Sequence, residues 1–441
     1  MFLLQALVVL AAIFVGARMG GVGLGVMGGA GLAVLVFVFN LQPTSAPIDV
    51  MLMILAVVTA AGALQAAGGL EYLVHLAERM LRSNPSRITF VGPIVTYLFT
   101  FCAGTGHVAY SVMPVIAEVA REAKVRPERP MSISAIASQQ AITASPISAA
   151  TVALLALLAP SGVTLFDIMK VCVPATFIGC MVGAFVANRT GKNLEDDPEY
   201  KVRLSEYADG ETLPHTASGS AYVPTWQSKL AVGLFLLGAL LVVLLGSFER
   251  LRPTWTVGDV VTRLSMPSTI EIVMLTIAAA IILGCRAKVE NVIKNDVFLA
   301  GAQAVIGIFG VAWMGDTFFQ GNIETFKGSI QGMVTSAPWL FAVALFALSV
   351  LLYSQAATVR ALMPLGITLG IPFPWLIAMF PSVNGYFFIP NYPTIIAAIA
   401  FDRTGTTRIG KYLLNHSFMI PGLVSTISAV SIGLVLSWLL F

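Results

Sequence analysis

The sequence predicts an all-α polytopic membrane protein with two inverted repeats, each holding a re-entrant helical hairpin and a discontinuous transmembrane helix. Three observations predict it. Of 441 residues, 57% are hydrophobic and 11% charged, with mean hydropathy +0.87, whereas a soluble domain carries about 25% charged residues. The stretch from Pro85 to Ser148 is repeated in plan by a second stretch from Pro338 to Phe401. Lysine and arginine gather on one set of loops, which orients the chain.

The repeat is visible residue by residue. An apolar run leads to a small polar cluster, Gly104-Thr105-Gly106-His107 in the first half and Ser354-Gln355-Ala356-Ala357-Thr358 in the second. Each cluster is followed by a Met-Pro step, Met113-Pro114 and Met363-Pro364. Each half then enters an apolar segment broken by a polar residue and a proline, at Ser145-Pro146 and at Asn391-Tyr392-Pro393-Thr394. Matched breaks in two halves point to a binding site made of discontinuous helices.

The elements follow in order. Phe2 to Val15, Gly21 to Phe39 and Val50 to Gly68 read as spans, the second glycine-rich as closely packed membrane helices are. Phe2 to Val15 has no positive leader and no small-residue cleavage site, so it reads as a span and not a cleaved signal. Glu71 to Arg82 places Leu73, Leu76, Ala77, Met80 and Leu81 at helical spacing against charged faces, an amphipathic interfacial helix. Arg79, Arg82 and Arg87 precede the first special stretch, and Arg121, Lys124, Arg126 and Arg129 follow it. Both ends therefore face the cytoplasm, and the segment at 86–120 must turn back near Gly104.

Residues 131–160 then cross outward, with Ser145 as N-cap and Pro146 as first residue of a new half-helix. Asp167 to Val186 returns, closing an N-terminal repeat at residues 1–187. A polar cytoplasmic linker at 188–229, with no chemistry of its own, separates it from a C-terminal repeat at 230–441. There Leu230 to Leu245, Thr269 to Gly284 and Val297 to Gly315 are spans. The second hairpin occupies 338–370, the second broken helix 372–401, and residues 413–441 carry the C-terminus outward. Of 25 Lys and Arg, only Arg250, Arg252, Arg263 and Lys327 fall in external loops, while Lys170 sits near an external end and Arg360 lies inside the second hairpin. Both termini are thus expected on the periplasmic side.

The breaks offer hydroxyls, amides, free N–H groups and helix N-termini, which suit a small anion. The candidates are Thr105, His107, Thr143, Ser145 and Ser148 in the first half, and Ser354, Gln355, Thr358, Asn391 and Thr394 in the second. An isolated Ser or Thr in a membrane helix ordinarily bonds back to its own helix; the repeat lifts these clusters above that. His107 suits packing as well as ligand contact. Arg360 either faces a cavity or partner, or snorkels to the surface. Free carbonyls at the breaks suit a coupling sodium ion, and no resident cofactor or metal is expected. Cys102, Cys172, Cys180 and Cys285 show no metal or CxxC spacing and read as small buried side chains. The net charge of +3 marks no nucleic-acid-binding domain.

Several motifs carry a resemblance that covers nearly the whole chain: GARMGGVGLGVMGGAGL, LQAAGGLEYLVHLAERMLRSNP, AGTGH, RPERPM, ASPIS, YSQAAT, NYPT and FDRTGTTRIGKYLLNHSFMIPG. In them the chain resembles the anaerobic four-carbon dicarboxylate transporters, the Dcu family. The resemblance implies exchange of fumarate, malate, aspartate and succinate across the bacterial inner membrane. It also implies an elevator-type transporter fold of the broader ion-transporter superfamily, with opposed hairpins and a homodimeric scaffold in the lipid bilayer. By that resemblance Gly104 to His107 and Ser354 to Thr358 stand where the superfamily has its substrate-binding tips, although its usual Ser-Asn-Thr triplet is absent from both. A cation-coupled uptake carrier for another small organic anion is the nearest alternative. A membrane enzyme would need a His/Asp/Glu cluster at depth, which the sequence lacks. A passive channel would need a continuous polar pore.

Overall fold

The computed structural model describes every residue except 20–21, 47, 107, 198–199, 201–222, 258–259, 323–324, 326–336, 353, 391 and 411–413. Among the described residues, seven helical segments are long and apolar enough to cross a membrane. They are Pro85–Ala103, Glu128–Ser161, Leu165–Ala187, Trp226–Gly246, Met266–Cys285, Val297–Phe318 and Met419–Leu440. The chain is a multi-pass membrane protein.

The first helices are α1 (Phe2–Met19), α2 (Gly23–Phe37) and α3 (Ile48–Ala66). The apolar portions of α1 and α2 are shorter than a full span. The glycines of α2 serve a contact within the chain: a Cβ at Gly25 would overlap the Ile306 carbonyl, and one at Gly28 would lie 2.5 Å from Val311 N. Helix α3 bends by 73° into α4 (Gly69–Arg82). Helix α4 buries Leu73, Ala77 and Leu81 and leaves Leu76 exposed. Its Arg82 pairs with Glu78 at 3.0 Å, Glu118 at 3.5 Å and Glu122 at 3.2 Å.

Next come α5 (Ile88–Ala103) and α6 (Val108–Glu122), packed on one another across a four-residue turn. Then follow α7 (Glu128–Ala144), α8 (Ala149–Leu158) and α9 (Leu165–Ala187). The first half ends on a firm start to the linker. Arg126 pairs with Glu128 and Asp197, and Arg129 donates to the Thr190 carbonyl at 2.9 Å. Lys124 pairs with Glu195 at 2.7 Å, and that hydrogen bond holds the Glu195 carboxyl below its usual range.

The second half contains α10 (Trp226–Ser247), α11 (Met266–Cys285), α12 (Val289–Lys294) and α13 (Asp296–Gly321). The chain is not wholly α: β1 (Thr254–Val257) pairs antiparallel with β2 (Val260–Arg263), with Thr254 opposite Arg263. Valine and threonine favour a pleated strand, and the two segments are close enough in sequence to pair. Helices α14 (Leu340–Leu352) and α15 (Gln355–Thr368) form the second helical pair. Helix α16 (Phe373–Met379) stops far earlier than the sequence suggested; two 3₁₀ turns, Phe380–Val383 and Gly385–Phe387, precede α17 (Pro393–Phe401). Helix α18 (Met419–Leu440) closes the chain.

Two groups of connecting segments meet in space. Residues 122–128, 190–197, 402–410 and 414–417 meet on one face, where the Glu128 carboxylate accepts from Ser417 Oγ at 2.7 Å and its backbone N–H donates to Thr406 Oγ1 at 3.1 Å. Ser45 and Ala46, the turn at Ala159 and Pro160, and the start of α11 at Met266 and Pro267 meet elsewhere, around one cavity. Helices α8 and α15 pack together, as do α6 and α17. Each restarted helix thus lies against the second helix of the other half's helical pair.

Candidate functional site

The first tip is built on backbone fit. Gly104 has φ +69°, which closes the end of α5. A Cβ there would stand 2.8 Å from Ile147 Cγ1, and one at Gly106 would overlap Gln139 Nε2. Only glycine lets the turn lie this close to the first break. Thr105 is half-buried beside them. His107 lies outside the described residues.

The first break spans residues 145–148, and its capping differs from the sequence expectation. Ser145 is the C-cap of α7, and its Oγ donates to the Phe101 carbonyl at 2.7 Å, tying the break to α5. The N-cap of α8 is Ser148, which accepts from Thr151 N at 3.2 Å. Pro146 therefore sits in the turn and not at the first helical position. A proline followed by two more extended or turn residues delays the helix, since its ring fixes only its own φ. Thr143 Oγ1 donates to the Gln140 carbonyl at 2.8 Å.

The second tip is held by side chains. Ser354 caps α15 by accepting from Ala357 N at 3.2 Å, and Thr358 Oγ1 bonds back to the Ser354 carbonyl at 2.8 Å. Gln355 reaches across, donating from Nε2 to Gln139 Oε1 at 2.9 Å and to Asn384 Oδ1 at 3.2 Å. Asn384 Nδ2 donates to Gln140 Oε1 at 3.2 Å, and Gln140 Nε2 donates to Thr426 Oγ1 at 3.0 Å. This buried amide chain joins α7, α15, the second break and α18. Gln139 is one end of it, bonding Gln355 of the second tip and lying against Gly106 of the first.

Sequence reasoning named Gln355 and Thr143 but missed Gln139, Gln140, Asn384 and Thr426. A signal existed for two of them: Gln139-Gln140 is an amide pair inside a span, and intramembrane polar groups face the interior. Asn384 was missed because the second break was assigned to 391–394 alone. The break in fact begins at Phe380, where Pro381 and Gly385 interrupt the helix.

The second break also ends differently from the first. Asn391 lies outside the described residues. Tyr392 is the N-cap of α17 but gives it no side-chain cap bond, and Pro393 is its first residue. Thr394 is 2% exposed, and its Oγ1 has no hydrogen-bond partner among the described atoms. A buried unsatisfied hydroxyl costs about 1–3 kcal/mol. Here it stands in the first turn of a helix whose N–H groups point forward.

Arg360 is 9% exposed and lies on α15 above the tip. It lines the cavity bounded by residues 45–46, 159–160 and 266–267, which none of Gln139, Gln140, Gln355 and Asn384 lines. Among the described residues, no group of three or more His, Cys, Asp or Glu is arranged to hold a metal ion.

Comparison with known proteins gives a consistent result. A family model described as anaerobic C4-dicarboxylate membrane transporter matches residues 1–441. The chain is 44% identical over 437 residues to the C4-dicarboxylate transporter DcuA of Wolinella succinogenes, covering 99% of each. It is 42% identical over 440 residues to the DcuA protein of Escherichia coli K12, again covering 99% of each. It is 38% identical over 454 residues to the anaerobic C4-dicarboxylate transporter DcuB of Escherichia coli O6:H1, covering 100% of this chain and 98% of that one.

Proposed function

This chain belongs to the anaerobic C4-dicarboxylate membrane transporter family, and from that premise we propose that it exchanges fumarate, malate, aspartate and succinate across the bacterial inner membrane. The two halves act as inverted repeats with re-entrant hairpins, and a scaffold of the remaining helices dimerises. Alternating access is elevator-like, the hairpins and broken helices moving together. Both termini face the periplasm.

The observation that carries this reading is the start of α17. An uncapped helix N-terminus beside the buried, unsatisfied Thr394 hydroxyl is a site awaiting an acceptor. A carboxylate supplies one: it accepts from the hydroxyl and from the Thr394 N–H, since Pro393 has none and Ile395 N already donates to the Tyr392 carbonyl at 2.9 Å, and the helix dipole favours its charge. The second carboxylate lies toward the α15 tip, where Ser354 and Gln355 stand. Thr105, Gly106 and Gln139 close the other wall. Helix ends offer only about half a charge each, so a dianion on its way to this site also needs a full cation, and Arg360, whose planar fork suits a carboxylate, supplies one outside the tips.

The test is exchange in reconstituted vesicles loaded with each acid. Wild-type protein should take up labelled fumarate faster into succinate-loaded than into empty vesicles; equal rates would sink the exchange reading. Thr394→Val should raise the half-saturating concentration for every dicarboxylate while leaving the empty protein as stable or more so. Unchanged affinity in Thr394→Val would remove α17 from the site.

A further inference from the structure

The cavity beside Arg360 is set apart from the amide chain of the tips. It measures about 540 Å³, within the range of about 300–1,000 Å³ that small-molecule sites occupy. Its wall is apolar apart from Ser45 and Arg360: Met53 of α3, Val152 and Leu155 of α8, and Met266 of α11. None of the residues of the amide chain lines it. The segments that bound it, at 45–46, 159–160 and 266–267, all lie on the face that the lysine and arginine asymmetry assigns to the outside. Arg360 is the one charged residue among those that line this cavity, and no accessible pH removes its charge.

We propose that this cavity is an outer docking site for the dicarboxylate, occupied before the tip site. One carboxylate meets the Arg360 guanidinium. The four-carbon stem lies on Val152 and Leu155, and the second carboxylate remains in water near Ser45. Charge and shape both favour this class of ligand: a single cation among apolar walls rewards a short anion with a hydrocarbon middle. The acid then has about one helical turn to descend along α15, from Arg360 toward Gln355. The docking site rests on the dicarboxylate-carrier reading, and its location outside the tips is the new element.

Thiol protection separates the two sites. Ala156→Cys, on the cavity wall, is placed in a background lacking the four native cysteines and labelled with a membrane-impermeant thiol reagent. Succinate at about ten times its dissociation constant should slow labelling about tenfold. That protection should persist in Gln355→Ala, which damages the tip, and vanish in Arg360→Ala. Ser45→Cys provides a second reporter should Ala156→Cys fold poorly. Absence of protection at both positions, or its equal loss in Gln355→Ala and Arg360→Ala, would overturn a separate docking site. Failure of the wild type to exchange any four-carbon acid would instead overturn the carrier reading itself.

Discussion

The two breaks differ in what the protein leaves unfinished. The first is short and self-satisfied. Ser145 bonds α5, Ser148 caps α8, and glycine backbone at the tip fills the remaining space. The second is long, starts α17 without a side-chain cap, and buries the Thr394 hydroxyl without a partner. Its tip is held by amide bonds, of which Gln355 to Gln139 spans the two halves and Gln355 to Asn384 stays within the second. Steric fit tolerates no rearrangement, whereas amides exchange partners at small cost. On the proposed reading, the first half is the rigid wall of the site and the second the side that adjusts to a ligand.

The largest effect should come from breaking the rigid side. Gly104→Ala imposes about 1–2 kcal/mol of left-handed strain and about 1–3 kcal/mol of overpacking against Ile147. Unfolding in mild detergent, followed by tryptophan fluorescence, should show this loss, and transport should fall with it. A neutral Gly104→Ala would mean that the first tip yields as readily as the second.

The next effect tests the amide joint. Gln139→Leu removes an acceptor from Gln355 and should cost about 1–3 kcal/mol. The double variant Gln139→Leu/Gln355→Leu should cost less than the sum of the single variants, because both ends of one bond are removed together. Strict additivity would show that the bond between the halves contributes nothing.

Capping sharpens the comparison further. Ser148→Ala should cost about 1 kcal/mol, as loss of an N-cap does, without a selective change in dicarboxylate affinity. A selective affinity loss with stability intact would move the first break from wall to ligand site.

The smallest effect lies outside the spans. His416 Nδ1 accepts from Phe418 N at 3.2 Å, so it carries no proton, and burial lowers the imidazole pKa. A lowered folded pKa means stability that is full above about pH 6.5, the unfolded value, and is lost as pH falls toward the folded one. Unfolding midpoints should therefore drop modestly below about pH 6.5 in the wild type and less in His416→Gln. Parallel pH profiles for the two proteins would exclude His416 as the cause.

Sequence alone determined the membrane class, most spans, the amphipathic α4 and both tips. These follow from composition and local chemistry: apolar run length, glycine, proline and hydroxyl spacing. Arg360 was also legible, because a charge inside a hairpin is costly wherever it points. Tertiary structure decided what local rules cannot. Ser145 and Ser148 are equally good caps by composition, and only the nearness of the Phe101 carbonyl turned Ser145 away from α8. Gln139 and Asn384 lie far apart in sequence, and no local pattern shows that both reach Gln355. The glycines of α2 announced close packing, but only the fold assigned them to α13. Nor did the sequence separate Arg360 from the tip. That separation comes from how α15 packs between α8 and α13, and it arises only when the two halves assemble.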